Sequence, residues 1–387
     1  MYFPESLFRN LILMTSNIKK IFIIAGEPSG DLHGAKLIKS LRGCEPNSSF
    51  IGHGGDAMKT AGMEIIEHVD SLSIMGFFEV LKHLPRMLKI MNNTIEAIAH
   101  LKPDRIILID YPGFNLRLAK RIRFLNIPIT YFILPQAWAW KEKRVEKIKE
   151  LIDQCISIFP FETEWFKSKG VKVSYFGHPF MDVQHVNEST KSFFGRHGLN
   201  NQHPILTLLP GSRQQEVNNH WPLFIDTVEQ IKHSIPELQI VVAKSSNVVF
   251  KEIPIDYKFE EDAQKAILAG TAALVCSGTA TLECAIETVP MVVCYKLNPI
   301  SWRIAKLHTR IKYTAIVNLI ANERVVPECI QDEMNPGNLS EQLLPLLDTT
   351  SNLRSRMISD LEGVKRKLGN PGVYERAAES ILERMNS

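Results

Sequence analysis

Short apolar runs recur along the chain. Each ends at a turn rich in Gly, Pro or Ser and gives way to a stretch with apolar residues at helical spacing. In the first half the runs are 20–25 (KIFIIA), 105–110 (RIILID), 128–134 (PITYFIL), 155–159 (CISIF) and 171–176 (VKVSYF). Gly177-His178-Pro179 then forms a turn at which one domain ends. A second series follows at 205–209 (ILTLL), 238–243 (LQIVVA), 272–276 (AALVC) and 291–295 (MVVCY). Runs this short and uniformly apolar, alternating with helical patterns, predict parallel strands covered by helices on both faces. The fold class is α/β, with two Rossmann-like domains of similar size. From about Ser340 the chain reads as charged helix, broken at Gly369-Asn370-Pro371-Gly372. There is no short repeat and no low-complexity segment.

The stretch 272–283 (AALVCSGTATLE) carries the most chemistry. A strand entering a helix through Ser277-Gly278-Thr279 leaves backbone N–H groups unpaired where a phosphate or diphosphate binds well. Gly278 lets a ligand approach the backbone, and Ser277 or Thr279 either caps the helix or donates to the anion. Leu209-Pro210-Gly211-Ser212-Arg213 is a second strand-to-turn junction, and Arg213 adds a permanent cation suited to phosphate. Glu283, one helical turn beyond Thr279, is placed to accept from ribose hydroxyls. Together these residues make a metal-free diphosphate–ribose set; no Asp-x-Asp magnesium clamp is present.

The first strand runs into Gly26-Glu27-Pro28-Ser29-Gly30-Asp31-Leu32-His33-Gly34, which is neither a dinucleotide fingerprint nor a Walker A loop. Its glycines open the backbone to a ligand, and Glu27, Asp31 and His33 add titratable groups; Asp31 as a helix cap is the alternative. Asp110 closes a strand ahead of Tyr111-Pro112-Gly113-Phe114-Asn115, a position for a general base or for a turn-former. Pro135-Gln136-Ala137-Trp138-Ala139-Trp140 offers aromatics to a core or to a sugar ring. The segment 73–91 (SIMGFFEVLKHLPRMLKIM) reads either as a core helix interrupted near Pro85 or as an interfacial element dipping into lipid.

Composition narrows the class. A 45% hydrophobic, 22% charged chain of 387 residues suits a two-domain enzyme. No apolar run approaches the roughly 18 to 20 residues that span a bilayer. The first residues lack a basic region and a cleavage site, so no signal peptide is expected, and 1–13 is an extension or a misassigned start. The six cysteines show no zinc spacing, which points to a reducing, cytoplasmic compartment. A net charge of +3 does not argue for nucleic acid. Between Lys82 and Lys149, however, 14 Lys and Arg face 5 Asp and Glu, a basic surface for solvent, phosphate or anionic lipid.

In order along the chain, GEPSGDLHG (26–34), SIMGFFEVL (73–81), IDYPGFN (109–115), PQAWAW (135–140), FPFE (159–162), GHPF (177–180), LPGSR (209–213), SGTATLE (277–283), Asn318, and Val326-Pro327-Glu328 with Gln331 resemble the lipid-A-disaccharide synthases. These are inverting glycosyltransferases of family 19. The resemblance runs from about Lys19 to the C-terminal region. It implies a GT-B fold, with two parallel sheets facing across a cleft. The domains expected are an extension (1–18), an acceptor and membrane domain (19–178), a UDP-sugar domain (179–355), and C-terminal helices (356–387) packing back on the first domain.

The implied reaction moves 2,3-diacylglucosamine from its UDP donor to 2,3-diacylglucosamine 1-phosphate. It gives a β-1′,6-linked disaccharide 1-phosphate and UDP, with no cofactor or metal. Asp110, Glu27 and Asp31 are the candidate catalytic acids. The resemblance assigns substrate contacts to Ser29, Gly30, His33, Asn115, Trp138, Asn318 and Gln331, and UDP contacts to Arg213, Ser277, Gly278, Thr279 and Glu283. It makes Met75, Phe77, Phe78, Leu81 and Leu84 lipid-facing. The setting implied is the cytoplasmic face of a Gram-negative-type inner membrane, with peripheral attachment and with a homodimer left open. Family members often carry Asp-x-Pro-Asp-Phe-Asn, and Gly113 stands here at the second acid. Another UDP-N-acetylglucosamine-using GT-B enzyme, a 2-epimerase or a peptidoglycan-type transferase, is the alternative.

Overall fold

Strands of four to six residues with nearly every position buried form the centre of each half of the chain, as their largely apolar sequences require. The structure is a computed structural model that describes residues 18–72, 84–183, 188–298, 302–303 and 312–386. It divides into a first unit, Met1–Asp182 with Pro371–Ser387, and a second, Val183–Asn370.

The first unit holds β1 (Lys20–Ala25), β2 (Ser49–Gly54), β3 (Glu64–His68), β4 (Arg105–Ile109), β5 (Ile129–Phe132), β6 (Gln154–Ser157) and β7 (Val173–Tyr175). They pair in parallel in the order β3-β2-β1-β4-β5-β6-β7. The second unit holds β8 (Ile205–Leu209), β9 (Gln239–Ala243), β10 (Lys258–Glu260), β11 (Ala272–Cys276), β12 (Met291–Tyr295) and β13 (Glu328–Ile330). Their order is β10-β9-β8-β11-β12-β13, again all parallel. Each sheet therefore reverses its direction of growth once, between β1 and β4 and between β8 and β11. At such a reversal the connections leave toward opposite faces and expose a crevice at the strands' carboxyl ends.

The second part of the basic, apolar 73–91 segment opens a helix that runs from Leu84 to Leu101, with Pro85 in its first turn, where a missing N–H costs nothing. Met75, Phe77, Phe78 and Leu81 lie outside the described residues, as does the side chain of Leu84. No helix among the described residues is long and apolar enough to cross a membrane.

The C-terminal helices separate from each other. The helix Asn352–Leu368 packs on Ala280–Ile286 and Pro336–Leu347 of the second unit, whereas Val373–Asn386 packs on Pro28–Cys44 of the first. The boundary expected at residue 356 thus falls inside a helix, and only the last helix returns to the first unit. Asp182, the last residue of the first unit's main segment, caps that helix. Its carboxylate accepts from the N–H groups of Gly372 (2.6 Å), Val373 (3.1 Å) and Tyr374 (3.1 Å). At the other end of the helix the buried Arg105 donates to the carbonyl of Arg384 (2.8 Å) and to the Thr130 hydroxyl (3.1 Å). Thr130 donates on to Gln154, whose amide reaches Ser380. A cation at a helix C-terminus is favourable, and this buried polar row across β4, β5 and β6 fixes where the returning helix sits.

Arg105→Leu removes that charge-assisted bond and strands the Arg384 carbonyl. It should cost the first unit about 1.5–3 kcal/mol in chemical denaturation and leave the unfolding of the second unit unchanged.

Candidate active site

The end of β4 is bent into a strained turn. Asp110 and Tyr111 both have left-handed backbone angles, with φ of 42° and 47°, a cost of about 1–3 kcal/mol per residue that surrounding contacts must offset. The Asp110 carbonyl accepts from the Tyr131 hydroxyl (2.6 Å) and from the Asn115 amide (2.7 Å). The Tyr111 hydroxyl donates to the carbonyl of Leu72 (3.0 Å), and its ring lies so close to Gly26 that a Cβ there would come within 2.2 Å of it. The turn joins the ends of β1 and β4 at the reversal in strand order, and Glu27 follows Gly26 directly.

The carboxyl of Asp110 is therefore aimed and shielded. Burial pushes its pKa up to about 6 and the nearby Glu27 adds to the shift, against a Tyr111 backbone hydrogen bond and Arg144. Glu27 is exposed and makes no capping bond to the helix Pro28–Cys44. Gly113, also exposed, has open space where a side chain would project.

Several predicted site residues serve the fold instead. Asp31 is buried and accepts from the N–H groups of Gly55 (2.7 Å), Ala57 (3.0 Å) and Met58 (3.0 Å), capping the helix Asp56–Thr60. With three donors holding it, it is not a free base. Gly30 is buried where a Cβ would meet Ala25 at 3.2 Å, so it allows close helix–sheet packing. Asn115 is fully buried beneath the Asp110 turn. Asn318 is equally buried; it accepts from the N–H groups of Val325 and Val326 and donates to Val326 O and Glu328. Gln331 accepts from the N–H of Leu297.

Of the others, Ser29 is exposed in the first turn of the helix Pro28–Cys44. His33 spends Nδ1 on the Tyr374 hydroxyl (2.7 Å), and burial with Lys36 lowers its pKa to about 4, so it is neutral at pH 7. The half-buried Trp138 donates its indole N–H to Glu162 (2.8 Å).

In the second unit a cavity of about 590 Å³ opens beside the reversal between β8 and β11. Turns after four strands line it: Gly211, Ser212 and Arg213 after β8, Lys244 and Ser245 after β9, Glu261 after β10, and Ser277, Gly278 and Thr279 after β11, with Tyr295 at the end of β12 and Glu283. The volume lies within the usual range for a small-molecule site, about 300–1,000 Å³.

Thr279 makes no side-chain cap, and its N–H, like those of Gly278 and Ala280, has no protein acceptor among the described residues. A Cβ on Gly278 would meet nothing within 4 Å, so the glycine leaves space for something other than protein. The turn after β8 differs. Glu216 accepts from the N–H groups of Ser212 (3.2 Å) and Arg213 (3.3 Å) and pairs loosely with the exposed Arg213 guanidinium (3.7 Å), which is that turn's cationic contribution. Burial, with Asp262, raises the pKa of Glu283.

His220, unnoticed in the sequence, ties this site together. The N–H of Lys296 donates to Nε2 (3.2 Å), so the ring proton is on Nδ1 and goes to the Pro210 carbonyl (3.0 Å). Its burial lowers its pKa and keeps that neutral tautomer. Arg144, Tyr131 and Glu162 are the corresponding unforeseen residues of the first unit. All three depend on partners distant in sequence, although Glu162 does stand out as an acid within the apolar FPFE turn.

Relatives and solved structures agree with this architecture. The family model described as Lipid-A-disaccharide synthetase matches residues 21–381. The lipid-A-disaccharide synthase of Myxococcus xanthus is 36% identical over 376 residues, covering 95% of this chain and 98% of its own. That of Geobacter sulfurreducens is 34% identical over 379 residues, covering 96% and 98%. Among solved structures, the calicheamicin glycosyltransferase CalG4 superposes with a TM-score of 0.61 at 13% identity, over 96% of this chain and 100% of that one. The UDP-GlcNAc 2-epimerase of Neisseria meningitidis bound to UDP-GlcNAc gives 0.62 at 10% identity, over 94% and 100%. The structural likenesses speak for the fold, two parallel-sheet α/β domains of the GT-B type. With the family match running almost from end to end, this glycosyltransferase chain belongs to the lipid-A-disaccharide synthase family.

Proposed function

We propose that the chain transfers 2,3-diacylglucosamine from its UDP donor to the 6-hydroxyl of 2,3-diacylglucosamine 1-phosphate, with inversion, releasing UDP. The observation that carries this reading is the division of labour between the two strand-order reversals. A shielded carboxylate lies at one, and a cavity large enough for a nucleotide, with open N–H groups and a cation, lies at the other. The acceptor is assigned to the first unit and the donor to the second. The acceptor oxygen attacks the anomeric carbon as the carbon–oxygen bond to UDP breaks, and its proton passes to Asp110. A base with a pKa of about 6 is ionised at neutral pH yet basic enough to share that proton in the transition state. Arg213 and the N–H groups of Gly278, Thr279 and Ala280 meet the charge that develops on the departing diphosphate. Glu283 is assigned to the ribose.

Both substrates carry acyl chains, so the enzyme is assigned to the surface of the inner membrane, held peripherally through the 73–91 segment. Supporting this are the basic excess between Lys82 and Lys149 and the exposed Leu88 and Phe124 beside Arg86, Lys89 and Arg121. A homodimer is not required by this reading. Mass analysis of products from the diacylated donor and acceptor distinguishes it from the epimerase reading, which yields no disaccharide.

Arg213→Ala should lower the transfer rate on the order of 100-fold. Near-normal turnover in a purified variant would remove Arg213 from the mechanism. The kcat/KM profile should rise with pH through a midpoint near 6, as Asp110 loses its proton. Because Glu27 holds that pKa up, Glu27→Gln should move the midpoint to lower pH, and Asp110→Asn should abolish turnover. An unmoved acid limb, or an active Asp110→Asn enzyme, refutes the base assignment. Serine at Phe77, Phe78 and Leu81 together should release the protein from anionic vesicles in a flotation assay without lowering its melting temperature. Unchanged flotation contradicts lipid contact through this segment.

A further inference from the structure

The FPFE turn contributes a residue that the mechanism above does not use. Glu162 is 1% exposed, in the first turn of the helix Pro160–Ser168 after β6. One carboxyl oxygen accepts the Trp138 indole N–H at 2.8 Å, and the other is buried without a partner. Phe161 meets the Trp138 ring edge-on at 4.9 Å, and Phe159 stacks on Phe161 at 5.7 Å. An ionised carboxylate in this aromatic box, with so few donors, is strongly disfavoured, so the group is held as the neutral acid.

We propose that Glu162 is a positioning residue for the transfer reaction, its carboxyl anchoring Trp138, and through it residues 135–140, beside the Asp110 turn. The proposal rests on the functional reading above and specifies how its acceptor side is built. Trp138 is half-buried, so anchoring the indole by its one donor leaves part of the ring as a fixed apolar platform at the carboxyl end of the sheet, suited to the face of a sugar.

The electrostatics agree. Burial raises the Glu162 pKa to about 8, against the indole bond and the nearby backbone N–H groups of Phe159 and Ile158, neither of which reaches hydrogen-bond geometry; the negative charge of Asp110 adds to the rise. Arg144 acts on Asp110, and His178, in ring contact with Phe159, is neutral because burial and His33 lower its pKa to about 3. At pH 7 Glu162 therefore holds the indole without placing a second charge beside the base. The folded protein retains a proton here that the unfolded chain loses above its ordinary pKa of 4.5. Stability from this group is present below that value and lost as pH rises toward 8.

The test compares Glu162→Gln, Glu162→Leu, Trp138→Phe and the double variant Glu162→Leu/Trp138→Phe in the purified full-length enzyme. Gln keeps a neutral acceptor for the indole, so kcat and both KM values should stay within about threefold of wild type. Its melting-temperature advantage over wild type should grow between pH 5 and 8. Leu should raise the acceptor KM about tenfold, leave the donor KM unchanged, and show no additivity with Trp138→Phe. An unchanged acceptor KM in Glu162→Leu overturns the proposal, as does a Gln variant as impaired as Leu. If wild type forms no disaccharide, the functional reading fails by itself. The pH-dependent stability difference, and non-additivity of the two substitutions in melting temperature, then still decide whether the Glu162–Trp138 contact exists.

Discussion

Reversal of strand order beside the first strand of each sheet is the constraint on which this molecule depends. In a parallel sheet every connection carries a helix across one face or the other, and only where neighbouring strands send their helices to opposite faces does the carboxyl edge stay uncovered. The pairs β1/β4 and β8/β11 are those places. The residues assigned to the chemistry, Glu27 and Asp110 in one unit and Arg213, Gly278 and Thr279 in the other, all lie in the turns that follow these four strands. Chemistry and topology thus have a common origin.

Topology alone does not aim a carboxylate. At the end of β4 two consecutive residues adopt a conformation that L-amino acids avoid, and the contacts holding them come from three directions. Asn115 binds from the helix that follows, Tyr131 from the neighbouring strand, and Gly26 yields space to the Tyr111 ring. The same enclosure that maintains the strained turn removes water from Asp110 and raises its pKa. Strain and basicity are two results of one packing arrangement, so a substitution that relaxes the turn should also make the acid a weaker base.

Legibility in the sequence follows the same division between local and distant causes. β1, β8, β11 and β12 read with their observed bounds because each is a run of apolar residues with at most one polar position. β2 was hidden by its glycines; Gly52 sits at φ 147° where a Cβ would strike the Ile23 carbonyl, a constraint set by the neighbouring strand. β3 is a partly exposed edge strand, and β10 and β13 have three residues each, too few for a periodicity. The site shows the same pattern. Arg213, Gly278, Thr279 and Glu283 were recognisable because a strand-to-turn junction is a local feature, and they do line one cavity. Asp31, Asn318 and Glu162 were misassigned or missed because their roles are set by partners elsewhere in the chain, such as Gly55 for Asp31 and Trp138 for Glu162. A polar residue in a motif declares that it is needed, not whether the substrate or the backbone needs it.

The balance of charge in the second cavity bears on how such a site turns over. Glu216 already occupies the N–H groups of the turn after β8, so a diphosphate there finds the Arg213 side chain and the open N–H groups after β11, with Lys244 nearby. Arg213 is three-quarters exposed, and in that setting its attraction to the intact donor is weakened by water and salt. In the proposed reaction, negative charge grows on the bridging oxygen as the sugar departs, and an exposed guanidinium held only by a loose pair with Glu216 gains most at that stage. An interaction that is weak toward the ground state and stronger toward the transition state raises turnover without binding UDP so tightly that its release becomes limiting. A fully buried cation would reverse that preference.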